Sequence, residues 1–535
     1  MRYRNSKVNY LKLSGFQVFS DETYIPLSKI TYIFGPNSSG KSSIYDALNL
    51  VQEIFYPTLV NENTFDDFRT MDWWELVSPH WRIQNLKRTK KMSLEIGSEC
   101  NIDFGKIIDY EKSNEVFSIG AEETNKPESI ISMKVDFIAL ERLSDIDTIT
   151  MDKIFTYSVN GTEIITMIEN VGVQINTTHP SLHFGLNYYC NVNELKDIFT
   201  KKEVSLENGW LTIGFPLAFH RNRRIVWQLF EESYSQDLEK LKKLSKVIRL
   251  IDEIVFAIKL ATKFEIDSVN ASRSIPTADL LTYYIQNNRD NTNINDTVIR
   301  PSLPISNDKL YNGLAKSVLN SINGHDDGIF SYVNRILSDN LFTDKGYQLT
   351  YDYDIIFSKY QFEALNKNII PDLGKTDIII RMKLVDENGV NHDFANVGSG
   401  IGYCFPILVK LAKQQAQVLS NPLLTYIQQP ELHLHPLLQM QCADIFIEAS
   451  SNKRMIIETH SEHLILRTLR RIKEASKKNG GKKKLSKDDV SILYFEPQLN
   501  GTTSVTRIQI SDDGSFLNRW PNGFFDERYG EIFHE

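Results

Sequence analysis

Residues 35–42 read GPNSSGKS, which fits the pattern G-x-x-x-x-G-K-[ST], and they follow directly on the apolar run ITYIF. A short apolar run of this kind reads as a buried strand, and the next residues, SSIYDALNLVQEIF, place apolar groups at helical spacing. Strand, glycine loop and helix in that order restrict the chain to an α/β architecture in which a helix N-terminus meets an anion. Gly40 lets the backbone approach phosphate oxygens, Lys41 neutralises charge on the β and γ groups, and Ser42 offers a hydroxyl to Mg²⁺. With Asn37, Ser38, Ser39 and Ser43, these residues form a candidate loop for ATP and its metal ion.

The segment TYIQQPELHLHP, residues 425–436, departs from what such a site requires. The strand carrying the second Walker motif ordinarily ends in an acid that holds the Mg²⁺ shell, next to a group that orients or deprotonates the attacking water. Residues 422–427 supply the strand, and its end carries the amides Gln428 and Gln429. An amide takes no proton from water, so loss of the general base alone should slow hydrolysis about 10²- to 10⁴-fold. A Gln orients water in some GTPases, which leaves slow hydrolysis open.

Two further segments narrow the class. NVGSGIGYCFPILVKLAKQQ, residues 396–415, is a Gly/Ser turn opening an apolar helix, and MIIETHSEHLILRTLRRI, residues 455–472, is a strand, a polar turn with His460 and a second helix. In order with the glycine loop and the QQPELHLHP segment, they resemble the signature motif, D-loop and switch histidine of an ABC-type ATPase head. GPNSSGKSS, NVGSGIGYCFPIL, PELHLHP, ETHSEHLILR and RWPNGFFDE together resemble the prokaryotic ABC ATPases grouped with the overcoming-lysogenization-defect and SMC-like defence ATPases. Among these the resemblance is to the PtuA-type subunit of Septu systems, which also accompanies some retron reverse transcriptases.

The resemblance implies an α/β fold, a mixed sheet with an antiparallel β subdomain, interrupted by a helical arm. It implies a head-to-head dimer in which Ser399 and the amides of Gly398 and Gly400 cap the γ-phosphate held by the other subunit. It also implies a PtuB-like HNH nuclease partner and, in a retron setting, contact with the reverse transcriptase and its RNA–DNA product. Relatives usually end the second Walker strand in two acids, so Gln428 and Gln429 leave nucleotide binding expected and turnover in question.

More than 350 residues separate the glycine loop from the signature, so a large insertion is expected in the head. MSLEIG, ISMKVDFIAL, IFTYSV, LHFGLNYY and WLTIGF, between residues 91 and 217, read as strands of an antiparallel sheet. Over 234–262 the apolar positions Leu241, Leu244, Val247 or Ile248, Ile251, Ile254 or Val255, and Ile258 mark an amphipathic helix, followed by a polar loop at 285–310. DIIIRMKLVDENGVNHDF reads as a hairpin turning at Asn388-Gly389. The expected division is 1–225 and 346–535 for the two halves of the head, with an arm at 226–345.

A chain of 535 residues with 41% hydrophobic and 24% charged residues is long enough for several packed units. No apolar run reaches membrane-spanning length and no signal segment opens the chain, so the cytoplasm is the expected compartment. Cys100, Cys190, Cys404 and Cys442 lack C-x-x-C spacing, which points away from a zinc site or disulfide framework. Net charge is −8, against a surface that clings to nucleic acid throughout, although residues 467–489 carry ten Lys/Arg against three acids and HRNRR at 220–224 is also basic. The lysine loop at 477–487 interleaves no aromatics for stacking and reads first as solvated surface, with phosphate-backbone contact as the alternative.

His433, His435, His460 and His463 fall in turns and a helix start and are read as site or structural residues rather than metal ligands. Arg273, in SVNASRSIP, resembles an arginine segment that precedes a proline in related ATPases; the residues alone leave its role open, with a simple pairing to an acid as the alternative. Only 75 residues follow His460, too few for an appended nuclease, so nucleic-acid cleavage is expected from a partner. Two readings stand. One is a nucleotide-holding scaffold for a nuclease. The other is a working ATPase in a different defence or repair system, with Glu431 or Glu458 recruited for Mg²⁺.

Overall fold

The computed structural model describes residues 7–56, 80, 83–84, 87–88, 91–100, 129–139, 150–174, 181–190, 210–215, 255–256, 258–259, 262–273, 314, 317–318, 321, 328–343, 345–356, 362, 377–393, 399–416, 423–477 and 485–518. In chain order, β1 (Lys7–Ser14) and β2 (Thr23–Pro26) precede β3 (Ile30–Phe34), the glycine loop and α1 (Ser43–Phe55). A short ribbon of β4 (Ile83–Gln84) and β5 (Lys87–Arg88) leads to β6 (Lys91–Cys100), β7 (Ser129–Ala139), β8 (Thr150–Val159), β9 (Thr162–Gln174), β10 (Ser181–Cys190) and β11 (Trp210–Phe215). Then come β12 (Glu265–Val269), α2 (Ile329–Asp339), β13 (Gln348–Ile356), β14 (Asp377–Val385), β15 (Asn391–Asp393) and α3 (Ser399–Ala416). The last described part alternates β16 (Leu423–Gln428), α4 (Pro436–Ala449), β17 (Arg454–Glu458), α5 (Glu462–Lys477), β18 (Val490–Pro497) and β19 (Thr503–Ile508).

The nucleotide-side sheet has the order β12-β16-β17-β3-β18-β19, parallel except for β19. Its inner strands β16, β17, β3 and β18 are buried on both faces and carry apolar runs, whereas the edge strands β12 and β19 are partly exposed and polar. Ile33, Leu424, Tyr426, Ile456, Leu493 and Phe495 project to one core with α1, while Tyr32, Phe34, Ile427, Met455, Ile457 and Tyr494 project to the other with α2 to α5. Each such side chain contributes about 1.5–3 kcal/mol on burial, so a one-residue slip that exchanged the faces would displace both cores together.

The second sheet, β11-β10-β9-β8-β7-β6-β1-β2, is antiparallel throughout, and Met92, Leu94, Ile96, Met133, Val135 and Phe137 pack with α1 in the first core. The five runs read as strands are strands, but β9, TEIITMIENVGVQ, was not among them. Gly97 of β6 has a packing reason: a Cβ there would lie 2.1 Å from the Tyr10 ring of the neighbouring strand.

The third sheet, β13-β14-β15, turns at the expected Asn388-Gly389, where Gly389 has φ 77° and Asp386 Oδ1 accepts from the Asn388 amide. The stretch read as an arm is not helical throughout: Glu265–Val269 is β12, the edge strand of the nucleotide-side sheet. Within the helix expected over 234–262, Val255 and Ile258 are helical and buried, whereas Leu241, Leu244, Val247, Ile248, Ile251 and Ile254 lie outside the described residues. The polar loop 285–310, HRNRR, most of the lysine loop and the WPNGFF segment also lie outside them. No helix among the described residues is long and apolar enough to cross a membrane.

Candidate nucleotide site

The glycine loop runs from β3 to α1, as its pattern requires. Gly35, at φ 149°, leaves no room for a Cβ, which would sit 2.3 Å from the Phe495 carbonyl oxygen. Gly40, at φ 81°, would place one 2.2 Å from Val18 Cγ2. Ser38 takes the left-handed conformation at φ 61°, and Thr503 Oγ1 donates to the Ser39 carbonyl at 2.9 Å, pinning the loop to the start of β19. Lys41 is 5% exposed and its ammonium donates to the carbonyls of Gly35 at 3.0 Å and Pro36 at 2.8 Å. Burial lowers its pKa, and Glu458 and Glu431 act in the opposite direction. The Ser39 hydroxyl is buried with no hydrogen-bond partner among the described residues. A loop admitting only glycine at two positions, with a buried ammonium and an unsatisfied hydroxyl, fits a polyphosphate.

Parallel pairing of β16, β17 and β3 brings the ends of all three strands to this loop. Gln428 ends β16, and Gln429 follows in the left-handed region at φ 44°. The acid missing from β16 stands one strand over. Glu458 ends β17, is 6% exposed, and accepts from Ser42 Oγ at 3.2 and 3.3 Å. It also accepts from the Tyr426 hydroxyl at 2.9 Å and from Gln428 Nε2 at 3.5 Å. Burial first, then Glu458, pushes the Tyr426 phenol well up, so it stays a donor. Gln428 Oε1 accepts from the Ala271 amide at 3.2 Å, so a hydrogen bond fixes each end of the side-chain amide. Hard oxygen donors suit Mg²⁺. Ser42 and Glu458 are the residues that would hold it, and bound there the ion would neutralise phosphate charge.

Glu431 has a different task. Its carboxylate accepts from Thr459 Oγ1 and from the His460 amide, both at 2.7 Å, and so ties the PELHLHP turn to the end of β17. Burial raises its pKa, against these hydrogen bonds and the nearby Arg273 charge. Between the two acids raised as metal candidates, Glu458 reaches Ser42 and Glu431 is occupied as a staple. The His460 ring carries a buried Nε2 with no partner among the described residues. Burial, then Lys41, lowers its pKa below the ordinary 6.5, so the imidazole is neutral at pH 7. The His433 ring packs tilted, at 43°, against Tyr403 with ring centroids 4.5 Å apart, and His435 caps α4 by accepting from the Leu437 amide at 3.4 Å.

Helix α3, which carries the segment that resembles a signature motif, starts at Ser399, and a Cβ on Gly400 would lie 3.2 Å from the His433 carbonyl oxygen, so its first turn packs on the PELHLHP turn. Gly398 and the Ser399 side chain lie outside the described residues. Arg273 does not pair with an acid among the described residues. It is 2% exposed and donates to four main-chain carbonyls: Tyr403 at 2.7 Å, Asn270 at 3.1 Å, Gln428 at 2.7 Å and Gln429 at 2.8 Å. Asn37, Ser38, Ser39, Gly40, Lys41 and Ser42 thus fall in one loop and Ser43 opens α1, with Gln428, Gln429 and His460 at or just beyond the strand ends beside it.

Among solved structures, an SMC head bound to the C-terminal winged-helix domain of ScpA is 12% identical, covers 94% of this chain and 98% of its own, and has a TM-score of 0.39. An SMC head domain from Thermotoga maritima is 11% identical over 94% of this chain and 100% of its own, at a TM-score of 0.34. No curated protein matches the chain. A family described as a protein of unknown function (DUF3696) matches residues 485–534. The AAA ATPase domain family matches residues 7–465, which span β1, the glycine loop, α3, Gln428, Gln429, Glu458 and His460, and the chain belongs to that family.

Proposed function

We propose that this chain is an ATP-holding subunit that binds Mg²⁺-ATP tightly, turns it over slowly, and self-associates when ATP is bound. One observation carries the reading: the loop that binds phosphate is complete, while the strand end beside it presents the amides Gln428 and Gln429. Glu458 keeps an acid at Ser42, which supports metal binding. It supports no base, because three hydrogen-bond donors already engage that carboxylate. Glu431 is held by Thr459 and His460.

A ligand that is held rather than consumed stabilises the folded, associated state by mass action, so ATP acts as a structural clamp. Ser399 and Gly400 at the start of α3 are the groups we assign to the second copy's γ-phosphate. On the resemblance of its motifs, we place the chain in an anti-phage defence complex of Septu or retron type, restraining an HNH nuclease partner. In a retron setting, it would also meet the reverse transcriptase and its RNA–DNA product.

The second reading, a working ATPase, draws on His460, a neutral imidazole with one proton-accepting ring nitrogen, whose buried Nε2 has no partner among the described residues. Nucleotide extracted from freshly purified chain, followed by a single-turnover assay with Mg²⁺-ATP, separates the two. Intact ATP and a half-time of many minutes supports the holding subunit. ADP alone, with turnover in seconds that His460→Ala abolishes, selects the working ATPase.

A further inference from the structure

Arg273 is a buried cation with no carboxylate within ion-pair distance among the described residues, and its acceptors are all main-chain carbonyls. Such a residue reads backbone position, not side-chain identity. The carbonyls belong to three segments that meet nowhere in sequence: the loop after β12 through Asn270, the end of β16 through Gln428 and Gln429, and the first turns of α3 through Tyr403. The guanidinium also lies 5.8 Å from the Tyr403 ring centre, and that ring packs against His433 of the PELHLHP turn. Farther along α3, Lys410 pairs with Asp267 of β12, Gln414 Nε2 donates to Asp267 at 3.0 Å, and Thr425 of β16 donates to Gln414 Oε1 at 3.2 Å. The body of α3 is therefore fixed to the sheet by side chains. At the end facing the nucleotide loop, Arg273 makes the tie.

We propose that Arg273 is a positioning residue that sets the first turns of α3 against the end of β16, so that each copy presents its α3 end in register to the nucleotide held by a second copy. The proposal rests on the ATP-dependent self-association put forward above. Its physical content is a division of labour. The bonds from Arg273 do not touch Lys41, Ser42 or Glu458, so loosening them leaves ATP binding to one copy intact while spoiling the surface offered to the other. Only a planar fork spans three segments at once, and lysine, whose three donors radiate from one nitrogen, cannot replace it.

The test uses the full chain, with Arg273→Lys, the milder Tyr403→Leu, which leaves the buried cation in place, and Lys41→Ala. ATP binding is measured by equilibrium dialysis with radiolabelled ATP at a concentration that keeps the chain monomeric, and association by sedimentation with and without ATP. Arg273→Lys should keep its ATP affinity within about two-fold and lose at least ten-fold in ATP-dependent association, with Tyr403→Leu shifted less in the same direction. Mixing Arg273→Lys with Lys41→Ala should restore ATP-dependent pairing, because one composite site then combines an intact loop with an intact α3 end.

Two results overturn the proposal. One is a loss of ATP affinity that parallels the loss of association in both Arg273→Lys and Tyr403→Leu. The other is a mixture with no recovery, which would place the action of Arg273 on its own copy's nucleotide. If the unsubstituted chain does not associate with ATP at all, the self-association reading fails first and this proposal fails with it, a result visible before any variant is compared.

Discussion

Gln428 and Glu458 form an amide and acid pair across neighbouring strands, and restoring an acid at 428 should damage the site unless the acid at 458 is removed. Gln428 Nε2 lies 3.5 Å from Glu458 Oε2. Gln428→Glu puts a second carboxylate oxygen at about that place, while its other oxygen still accepts from the Ala271 amide. Two unit charges at that separation repel by about 5 kcal/mol at an effective dielectric constant of 20, and by about 1 kcal/mol in bulk water. Glu458 is 6% exposed, so the first figure governs. Repulsion of that size raises the upper ionisation of the pair by about 3 pH units, so the pair retains a proton near neutrality. In EDTA at pH 8, Gln428→Glu should melt several degrees below the unsubstituted chain. It should recover as pH falls to 6 and also on adding Mg²⁺. The double variant Gln428→Glu, Glu458→Gln again has one acid and one amide, and should melt close to the unsubstituted chain, giving a coupling of several kcal/mol in the cycle. A double variant no more stable than Gln428→Glu, or a single variant indifferent to pH and Mg²⁺, would refute the reasoning.

Lys41→Ala and Ser399→Arg should each weaken ATP-dependent pairing at least ten-fold by sedimentation, but only the first should abolish ATP binding; equal loss of binding in both would remove α3 from the second copy's site. His460 is held below its ordinary pKa of 6.5, so its contribution to stability is complete above that value and is lost as pH falls through the lower folded value. His460→Gln should therefore flatten the fall in melting temperature below pH 6.5, and an unchanged slope counts against burial of a neutral ring. Lys453 donates to Gln414 Oε1 at 2.8 Å, and burial pushes its pKa down to about 8. Stability should therefore rise between pH 8 and 10, and Lys453→Met should stabilise the chain at pH 7 by up to about 3 kcal/mol, as read by denaturant unfolding.

The nucleotide loop was legible because its chemistry is contiguous: Gly35, Gly40, Lys41 and Ser42 act through backbone and side chains within eight residues. β3, β16 and β17 were legible as apolar runs and β6, β7, β8, β10 and β11 as short β-rich ones, whereas β12, EIDSV, carries acids at alternate positions and lacks the apolar run of its parallel neighbours. β9 was missed because TEIITMIENVGVQ interrupts its alternation with a polar pair and a glycine. The partnership of Ser42 with Glu458 spans 416 residues and depends on β17 pairing directly with β3, which no local pattern displays. The role of Arg273 is not legible because its partners are carbonyls, and every residue has one.

The placement of the acid also bears on why the strand end carries amides. A carboxylate at Ser42 can stand on β16 or on β17, but two there repel unless a cation is always present. With Glu458 in place, glutamine at 428 is the complementary choice, since its Nε2 donates to the acid and its Oε1 accepts from Ala271. The amide at 428 is then explained by pairing. That at 429 is not, because its side chain has no bond to Glu458 among the described residues, while its carbonyl serves Arg273 and its amide donates to the Glu458 carbonyl at 2.7 Å. Position 429 is therefore where a base can be restored without disturbing the metal-side acid. Gln429→Glu should leave ATP binding and melting temperature nearly unchanged. If the site is otherwise competent, it should raise single-turnover hydrolysis by about 10²-fold or more. A rise from Gln428→Glu and none from Gln429→Glu would reverse the roles assigned to the two amides.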